Sequence, residues 1–444
     1  MGRSLSLRER SIDLWRGPSA RVLGAKDLFR VHDTSGERRV GVFFSSLAGG
    51  GIERMMLATA GALRERGYAV DVVVAEANGP LAGSVPDGVR LLELQRGPTW
   101  LARKCILRAE PPAARRLLAS GMLALKLPNR LPYLPSLIRY FREEHPNALL
   151  TAGLGANLLG VWARNLACSP ARVVASQRNT LSCVMTTWTW KRRVFPALIR
   201  RNYLAADALI AVSEGVADDL ASHFGIPRDR ITVVYNPVVS RSLRQQASSE
   251  IDHSWFVAGA PPVVLGVGRL DSTKDYPTLI RAFARLRQER EARLMILGAA
   301  KDAAATAQHS AELMALAAEL GVSQDVALPG FVPNPFAYMA RAGAFVLSSR
   351  WEGFGNVLVE AMACGCPVVS TDCPSGPAEI LDCGRYGPLV PVGDDAAMAG
   401  AIIKILDAPP PAEELRARAA LFSVGRAVDQ YLDLIFAPSS STVP

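Results

Sequence analysis

Two kinds of hydrophobic pattern take turns along this chain. Apolar runs at 40–44, 69–75 (broken only by Asp71), 263–266, 294–298, 344–347 and 368–369 suit strands buried on both faces. Between them, apolar residues recur at helical spacing over 55–66, 276–287 and 356–363, closed by stops such as Gly67, Gly365 and Pro367. Strand, turn, helix and strand repeated in this way predict βαβ units, and hence an α/β fold of parallel sheets covered by helices. The runs at 149–163, 173–180 and 208–212 continue the first series, with Ser213 predicted to cap a helix from Glu214. A polar stretch, 240–253, separates it from the second. With 444 residues, more than one core usually supports, the chain is expected to form two domains, 38–240 and 254–420. Residues 1–37, rich in Arg, Ser and Glu without periodicity, read as a loose extension, and 421–444 as a closing helix and tail.

The most informative stretch is 344–370. Its strand runs into Arg350-Trp351-Glu352-Gly353-Phe354-Gly355, and a helix follows from Asn356. The amides of Asn356, Val357 and Leu358 are expected to face a crevice at the strand's carboxyl end, backed by the positive end of the helix dipole. That is an anion site, and phosphate is its usual occupant. Glu352 and Glu360 bracket it, and acids that accept sugar hydroxyls beside a phosphate point to a nucleotide sugar. Arg269 and Lys274 follow the 263–266 strand, again at the end where open parallel sheets bind ligands. Two cations there suit a diphosphate. In the first half, Gly49-Gly50-Gly51-Ile52-Glu53 follows the first strand, and glycine permits close approach to a bound group. No Gly-x-Gly-x-x-Gly stands there, so a dinucleotide fingerprint is absent. Glu53 faces the cleft or complements the dipole of its own helix.

Composition adds less. Hydrophobic residues at 49% and charged ones at 20% exclude wholesale disorder. The net charge of +9 favours an anionic partner: nucleotide phosphates, an acidic lipid surface or nucleic acid. Much of it is concentrated at 95–142, where ten Lys and Arg face one acid, Glu110, and at 188–203, where Trp188, Trp190, Phe195 and Tyr203 mix with five cations. Such segments suit helices lying in an anionic leaflet, or else a solvated basic face over an ordinary core. The seven scattered cysteines read as reduced, buried thiols of a cytosolic protein. Without a Cys-x-x-Cys pair they are not expected to hold zinc. Residues 1–17 lack a signal peptide's apolar core, although 1–6 fits a myristoylation pattern, and no stretch reads as a bilayer span.

Glu352 and Glu360 stand in the E-x7-E spacing of retaining glycosyltransferases of the GT-B fold, and with Gly353-Phe354-Gly355-Asn356 the site resembles glycosyltransferase family 4. Ser176-Gln177-Arg178-Asn179 and 372–381 resemble the branch acting on lipid-linked or lipopolysaccharide glycans, although Ala378 stands where an arginine is common. The family's cleft histidine finds no obvious counterpart among the five histidines. The resemblance spans about 38–436. It implies two Rossmann-like domains across a cleft, with the last helix crossing back to the first. It also implies a nucleoside diphosphate sugar donor, UDP before others, and a lipid-linked, lipopolysaccharide or exopolysaccharide acceptor.

Arg269 and Lys274 then become diphosphate ligands and Glu352 the residue at the donor sugar. Glu360 would take the ribose, Gly353, Phe354 and Gly355 would line the donor site beside Asn356, Val357 and Leu358, and Phe331 and Val332 would lie in the loop cradling the base. Gly50, Gly51, Glu53, Arg178 and Asn179 would stand on the acceptor side, where Arg178 could pair with an acceptor phosphate or form a structural ion pair. No Asp-x-Asp is present, so catalysis is expected to need no metal or other cofactor. Peripheral contact with the inner face of the cytoplasmic membrane is expected, and nucleic acid is not an expected partner. The alternatives are an epimerase of the same fold acting on UDP-GlcNAc, or a catalytically silent basic protein binding membrane or RNA.

Overall fold

The structure, a computed structural model, describes residues 37–110, 112, 130–185 and 195–437, with the backbone of 21–22. The myristoylation pattern, Arg115, Arg116, Lys126 and 188–193 lie outside the described residues. The first half of the chain forms a sheet from β1 (Arg21–Val22), β2 (Arg39–Ser46), β3 (Ala69–Glu76), β4 (Arg90–Glu93), β5 (Ala148–Ala152), β6 (Arg172–Gln177), β7 (Ala208–Ala211) and β8 (Ile231–Val233), in the order β1-β4-β3-β2-β5-β6-β7-β8. The second half forms a sheet from β9 (Val263–Val267), β10 (Arg293–Leu297), β11 (Val326–Gly330), β12 (Ala344–Leu347), β13 (Val368–Thr371) and β14 (Leu389–Val390), in the order β11-β10-β9-β12-β13-β14.

Every pairing is parallel except β1 with β4. That antiparallel strand qualifies the expectation of a wholly loose extension: Arg21 and Val22 lie opposite Glu93 and Leu92 and protect the edge of the sheet. The continuous apolar runs are the interior strands, as with β12, buried at all four residues between two helical layers.

In each sheet the strand order reverses once beside its first long parallel strand, between β2 and β5 and between β9 and β12. Chains leaving such neighbours go to opposite faces, so a crevice opens at their carboxyl ends. The turns after β9 and β12 form one such crevice, and those after β2 and β5 the other.

Two expected elements differ. The linker contains the Arg241–Ala247 helix, whose Gln246 carbonyl accepts from Asn334 Nδ2 at 2.8 Å, so it is docked on the second half. The closing helix is interrupted: Ala412–Ala419 and Val424–Phe436 are separate because Ser423 is extended and bridged to Val239. From there the chain crosses to the first half, where Asp429 pairs with Arg66 at 2.7 Å and Phe436 stacks on Tyr68 at 5.2 Å between ring centroids.

Glu110, the single acid of the first basic segment, is 2% exposed and accepts from Trp162 Nε1 and Asn202 Nδ2 at 3.0 and 2.8 Å. It anchors the end of the Thr99–Ala109 helix to the core, and that helix leaves Trp100 and Leu107 exposed. All seven cysteines are free, but Cys168 and Cys383 are exposed rather than buried. Among the described residues no group of His, Cys, Asp or Glu is placed to hold a metal ion, and no helix is long and apolar enough to cross a membrane.

Candidate active site

The crevice of the second sheet brings Lys274 and Glu352 together. Lys274 follows β9 and Glu352 follows β12, and the two turns are tied to each other. The Arg350 amide donates to the Thr273 carbonyl at 2.8 Å, and its Nε donates to Asp275 Oδ2 at 3.2 Å. Lys274 Nζ then lies 2.5 Å from Glu352 Oε1, which also accepts from Ser349 Oγ at 2.7 Å. Both side chains are about 15% exposed (14% and 15%), so this pair is shielded, charge-assisted and satisfied. Gly268 makes room for it, because a Cβ there would lie 2.9 Å from both Lys274 Cε and Tyr276 Oη. Arg269 is different: its side chain is 74% exposed and held only by Asp271 at 3.2 Å.

Gly355, at φ +100, turns the chain into the Asn356–Ala363 helix. Glycine adopts that left-handed geometry without the steric penalty of a side chain. No side chain caps the helix and its first turn carries no acid. The amides of Asn356 and Val357 are the open ones. Leu358, expected to contribute a third, does not: its amide donates to the Gly355 carbonyl at 2.9 Å and its side chain is fully buried. Glu360 lies further along this helix, partly accessible. Burial pushes its carboxyl up to about 7, against the opposing influence of Arg54 and Lys274. Arg54 comes from the other half of the molecule, so Glu360 is felt by both.

Phe354 corrects a second expectation. It is 2% exposed, stacked on Tyr235 at 5.5 Å and edge-on to Phe422 at 5.3 Å, in an apolar joint between the halves rather than in the crevice. A large aromatic between two fixed glycine-like turns is used here for packing. At Gly353 the halves are in close contact, since a Cβ would lie 2.1 Å from the Arg178 carbonyl oxygen. Phe331 is 53% exposed just beyond β11, and Val332 beside it is half-buried.

On the first half, the Gly51–Glu65 helix starts four residues earlier than its apolar pattern, with Gly50 as its cap. Glu53 curls back over Gly50, where a Cβ would lie 2.4 Å from Glu53 Oε2. Burial raises its pKa, and its own amide, Arg130, Arg269 and the Gly50 amide all oppose this. Glu53 thus complements its own helix terminus, and Arg269 of the second half lies within its electrostatic reach. Gly51 lies beside Asn356, a Cβ there being 3.4 Å from Asn356 Nδ2.

Arg178 is buried rather than exposed, and among the described residues it has no acid partner. It is 5% exposed, with Nη1 donating to Asn236 Oδ1 at 2.9 Å and its fork against the sulfurs of Met55 and Met56. Asn179 Oδ1 accepts from Gln177 Nε2 at 2.5 Å, and the Asn179 Cα packs by Gly353.

Several contacts at the joint were not foreseen in the sequence, where Ser213 was read only as a helix cap. Thr180 Oγ1 donates to the Glu352 carbonyl at 2.7 Å, and Ser213 Oγ donates to the Gly353 carbonyl at 2.8 Å. Glu379 accepts from the amides of Glu214 and Gly215 at 2.8 and 2.9 Å, capping a first-half helix from the second half. Tyr235, beside it, is pushed up to about 12 by burial and by Glu379 and Glu214. Ser213 caps this helix as expected, its Oγ accepting from the Val216 amide at 3.2 Å, which leaves the Glu214 and Gly215 amides for Glu379. Nothing in the spacing tied them to Glu379, 164 residues away from Gly215.

Known proteins agree with this architecture. The model described as "Glycosyltransferase Family 4" matches residues 49–240, and "Glycosyl transferases group 1" matches residues 248–422. The N-acetylgalactosamine-N,N'-diacetylbacillosaminyl-diphospho-undecaprenol 4-alpha-N-acetylgalactosaminyltransferase of Campylobacter jejuni is 30% identical over 362 residues, 81% of this chain and 88% of its own. Among solved structures, Anabaena HepE in complex with UDP-glucose superposes with a TM-score of 0.69 at 21% identity, covering 89% of this chain and 99% of its own. WaaG, a glycosyltransferase involved in lipopolysaccharide biosynthesis, does so with a TM-score of 0.63 at 17% identity, covering 90% and 100%. With its two Rossmann-like domains in the GT-B arrangement, the chain belongs to glycosyltransferase family 4 and is a hexosyltransferase.

Proposed function

We propose that this enzyme transfers a sugar, with retention of the α configuration, from a UDP-sugar to a hydroxyl of a lipid-linked or lipopolysaccharide-type glycan. The observation that carries the reading is the Lys274–Glu352–Ser349 cluster beside the open helix tip at Asn356. Lys274 has three donors, so it can hold Glu352 and a β-phosphate oxygen together. Arg269, weakly held at the cleft surface, swings onto the diphosphate from the other side. These two cations and the Asn356 and Val357 amides stabilise the negative charge that develops as the anomeric C–O bond breaks. They supply the neutralisation a divalent metal gives elsewhere, which is the ground for proposing metal-independent transfer. The acceptor oxygen bonds to the anomeric carbon on the face the phosphate leaves, and the acceptor proton passes to the departing β-phosphate oxygen. Glu352 lies by the donor sugar, steadied by Lys274. Glu360 accepts from the ribose hydroxyls, and Phe331 and Val332 border the base.

UDP is favoured by the UDP-glucose complex of Anabaena HepE, and the lipid-linked acceptor by the Campylobacter relative, whose name specifies a diphospho-undecaprenol glycan. Exposed Trp100 and Leu107, on a helix carrying Arg103, Lys104 and Arg108, support docking on an anionic membrane surface. The test is incubation with labelled UDP-sugars and undecaprenyl-diphosphate-linked or lipopolysaccharide-core acceptors, without added metal and with chelator. An α-linked product, assigned by proton NMR, is expected. Epimerised UDP-GlcNAc without acceptor, or no turnover of any donor, overturns the reading.

A further inference from the structure

Arg178 poses a physical problem. It is a buried guanidinium with no carboxylate in salt-bridge reach among the described residues, and its Nε is buried without a hydrogen-bond partner. Burying an uncompensated charge destabilises a fold, and replacement by an apolar side chain usually relieves the cost. Such a group persists where its charge or its reach serves something else.

Its one strong acceptor is Asn236 Oδ1, at 2.9 Å. That bond fixes the Asn236 amide, whose Nδ2 donates to Asn356 Oδ1 at 2.7 Å. Asn356 is the first residue of the helix whose tip faces the crevice, and nothing else holds its side chain among the described residues. The line Arg178–Asn236–Asn356 therefore passes from the core of the first half to the tip of the second. The main chain of Arg178 marks the same place, with its carbonyl against Gly353.

We propose that Arg178 is a positioning residue: through Asn236 it sets the orientation of Asn356 and adds one unneutralised positive charge behind the diphosphate site. The line does two things at once. It polarises the Asn236 amide, strengthening the donor end that grips Asn356, and it ties the helix tip to the first half when the cleft is closed. Charge-assisted bonds are about twice as strong as neutral ones, so the grip depends on the cation and not only on shape. This inference rests on the donor reading above, because it assigns a consequence to the anion that reading places at Asn356.

Asn236→Asp tests it. The carboxylate keeps the bond to Arg178 and neutralises its charge, and because it can only accept it reverses the grip on Asn356, so both effects named in the proposal are removed together. The expected result is an unchanged or higher melting temperature together with roughly tenfold weaker UDP binding by calorimetry, the scale of one charge-assisted contact. Arg178→Met, an apolar substitute against Met55 and Met56, is expected to act in the same direction, and Arg178→Lys to recover part of the affinity. Pyrophosphate alone, used as a second probe, is expected to lose affinity in parallel. If wild type binds UDP and both neutralising variants bind it equally well, Arg178 is purely structural and the inference is overturned. If wild-type protein binds no nucleoside diphosphate at all, the donor reading fails first and takes this inference with it.

Discussion

The two faces of the cleft are built to different tolerances. On the second half, four polar groups from two neighbouring turns converge within hydrogen-bond distance: Lys274, Ser349, Glu352 and the Arg350 amide on Thr273. On the first half the charged groups face the cleft singly. Glu53 folds back on its own helix, Arg178 is buried, and Arg130 reaches Glu53 only through its field. A site that stabilises a defined transition state needs pre-set geometry, whereas a surface that receives a large acceptor can be completed by the acceptor itself. The difference supports the proposal of chemistry on the second face and acceptor recognition on the first.

The largest expected effect breaks or upholds that division directly. Lys274→Met should lower kcat/KM by about 10³-fold, because it removes a charge stabiliser and leaves Glu352 unpaired in a shielded site. Glu53→Gln should cost less than about tenfold in the same assay, as expected for a group outside the reacting cluster. Equal losses in the two variants would erase the distinction between the faces. Next in size is Gly353→Ala. Its Cβ would lie 2.1 Å from the Arg178 carbonyl, so the halves must separate slightly at this contact. A displacement of that order costs about 10²-fold in kcat when reacting groups are on opposite sides of a joint. UDP affinity should fall less, by about tenfold at most, through slackening of the Arg178–Asn236–Asn356 line. Arg269→Met should follow, with donor KM rising about tenfold, the scale of one exposed charge contact brought into a closed site.

How much of this was legible in the sequence follows the same division. β9 and β12 read as apolar runs, and the residues after them stood at strand ends where parallel sheets bind ligands, so Lys274 and Glu352 could be placed before any coordinates. Gly353 and Gly355 were legible because glycine there reports a backbone constraint, now seen as a contact with Arg178 and a φ of +100. Phe354 was misplaced because a motif position says nothing about which way a side chain turns, and here it turns into the Tyr235–Phe422 joint. Arg178 was read as an acceptor partner or a structural ion pair, and its burial without an acid was missed for a related reason. Burial is decided by the Gly51–Glu65 helix lying over it through Met55 and Met56, a tertiary fact with no local signature. Glu379 on the Glu214 amide could not be foreseen at all, since partners across a domain joint share no periodicity.

Glu360 gives the smallest effect and the most specific one. In the folded protein burial raises its pKa from 4.5 to about 7. Below the unfolded value the carboxyl is protonated in both states and contributes nothing to pH dependence. As pH rises from 4.5 towards 7, the unfolded chain gives up this proton first while the folded one retains it. The group therefore loses the fold stability across that window, and the full cost is present above 7. Glu360→Gln removes it. The variant should melt at the same temperature as wild type near pH 4 and a few degrees higher at pH 8, with the difference growing between. UDP affinity should separate in the opposite direction. Near pH 5.5 the wild-type side chain is mostly a neutral acid, a weak acceptor for ribose hydroxyls, and differs little from the amide. At pH 8 the carboxylate accepts two hydroxyls that glutamine cannot both satisfy, so the wild type should bind several-fold more tightly. Melting curves and calorimetry at four pH values read both trends on one pair of proteins. A stability difference that does not vary with pH would mean Glu360 titrates alike in the folded and unfolded states, and the ribose contact would then have to be sought elsewhere on the second face.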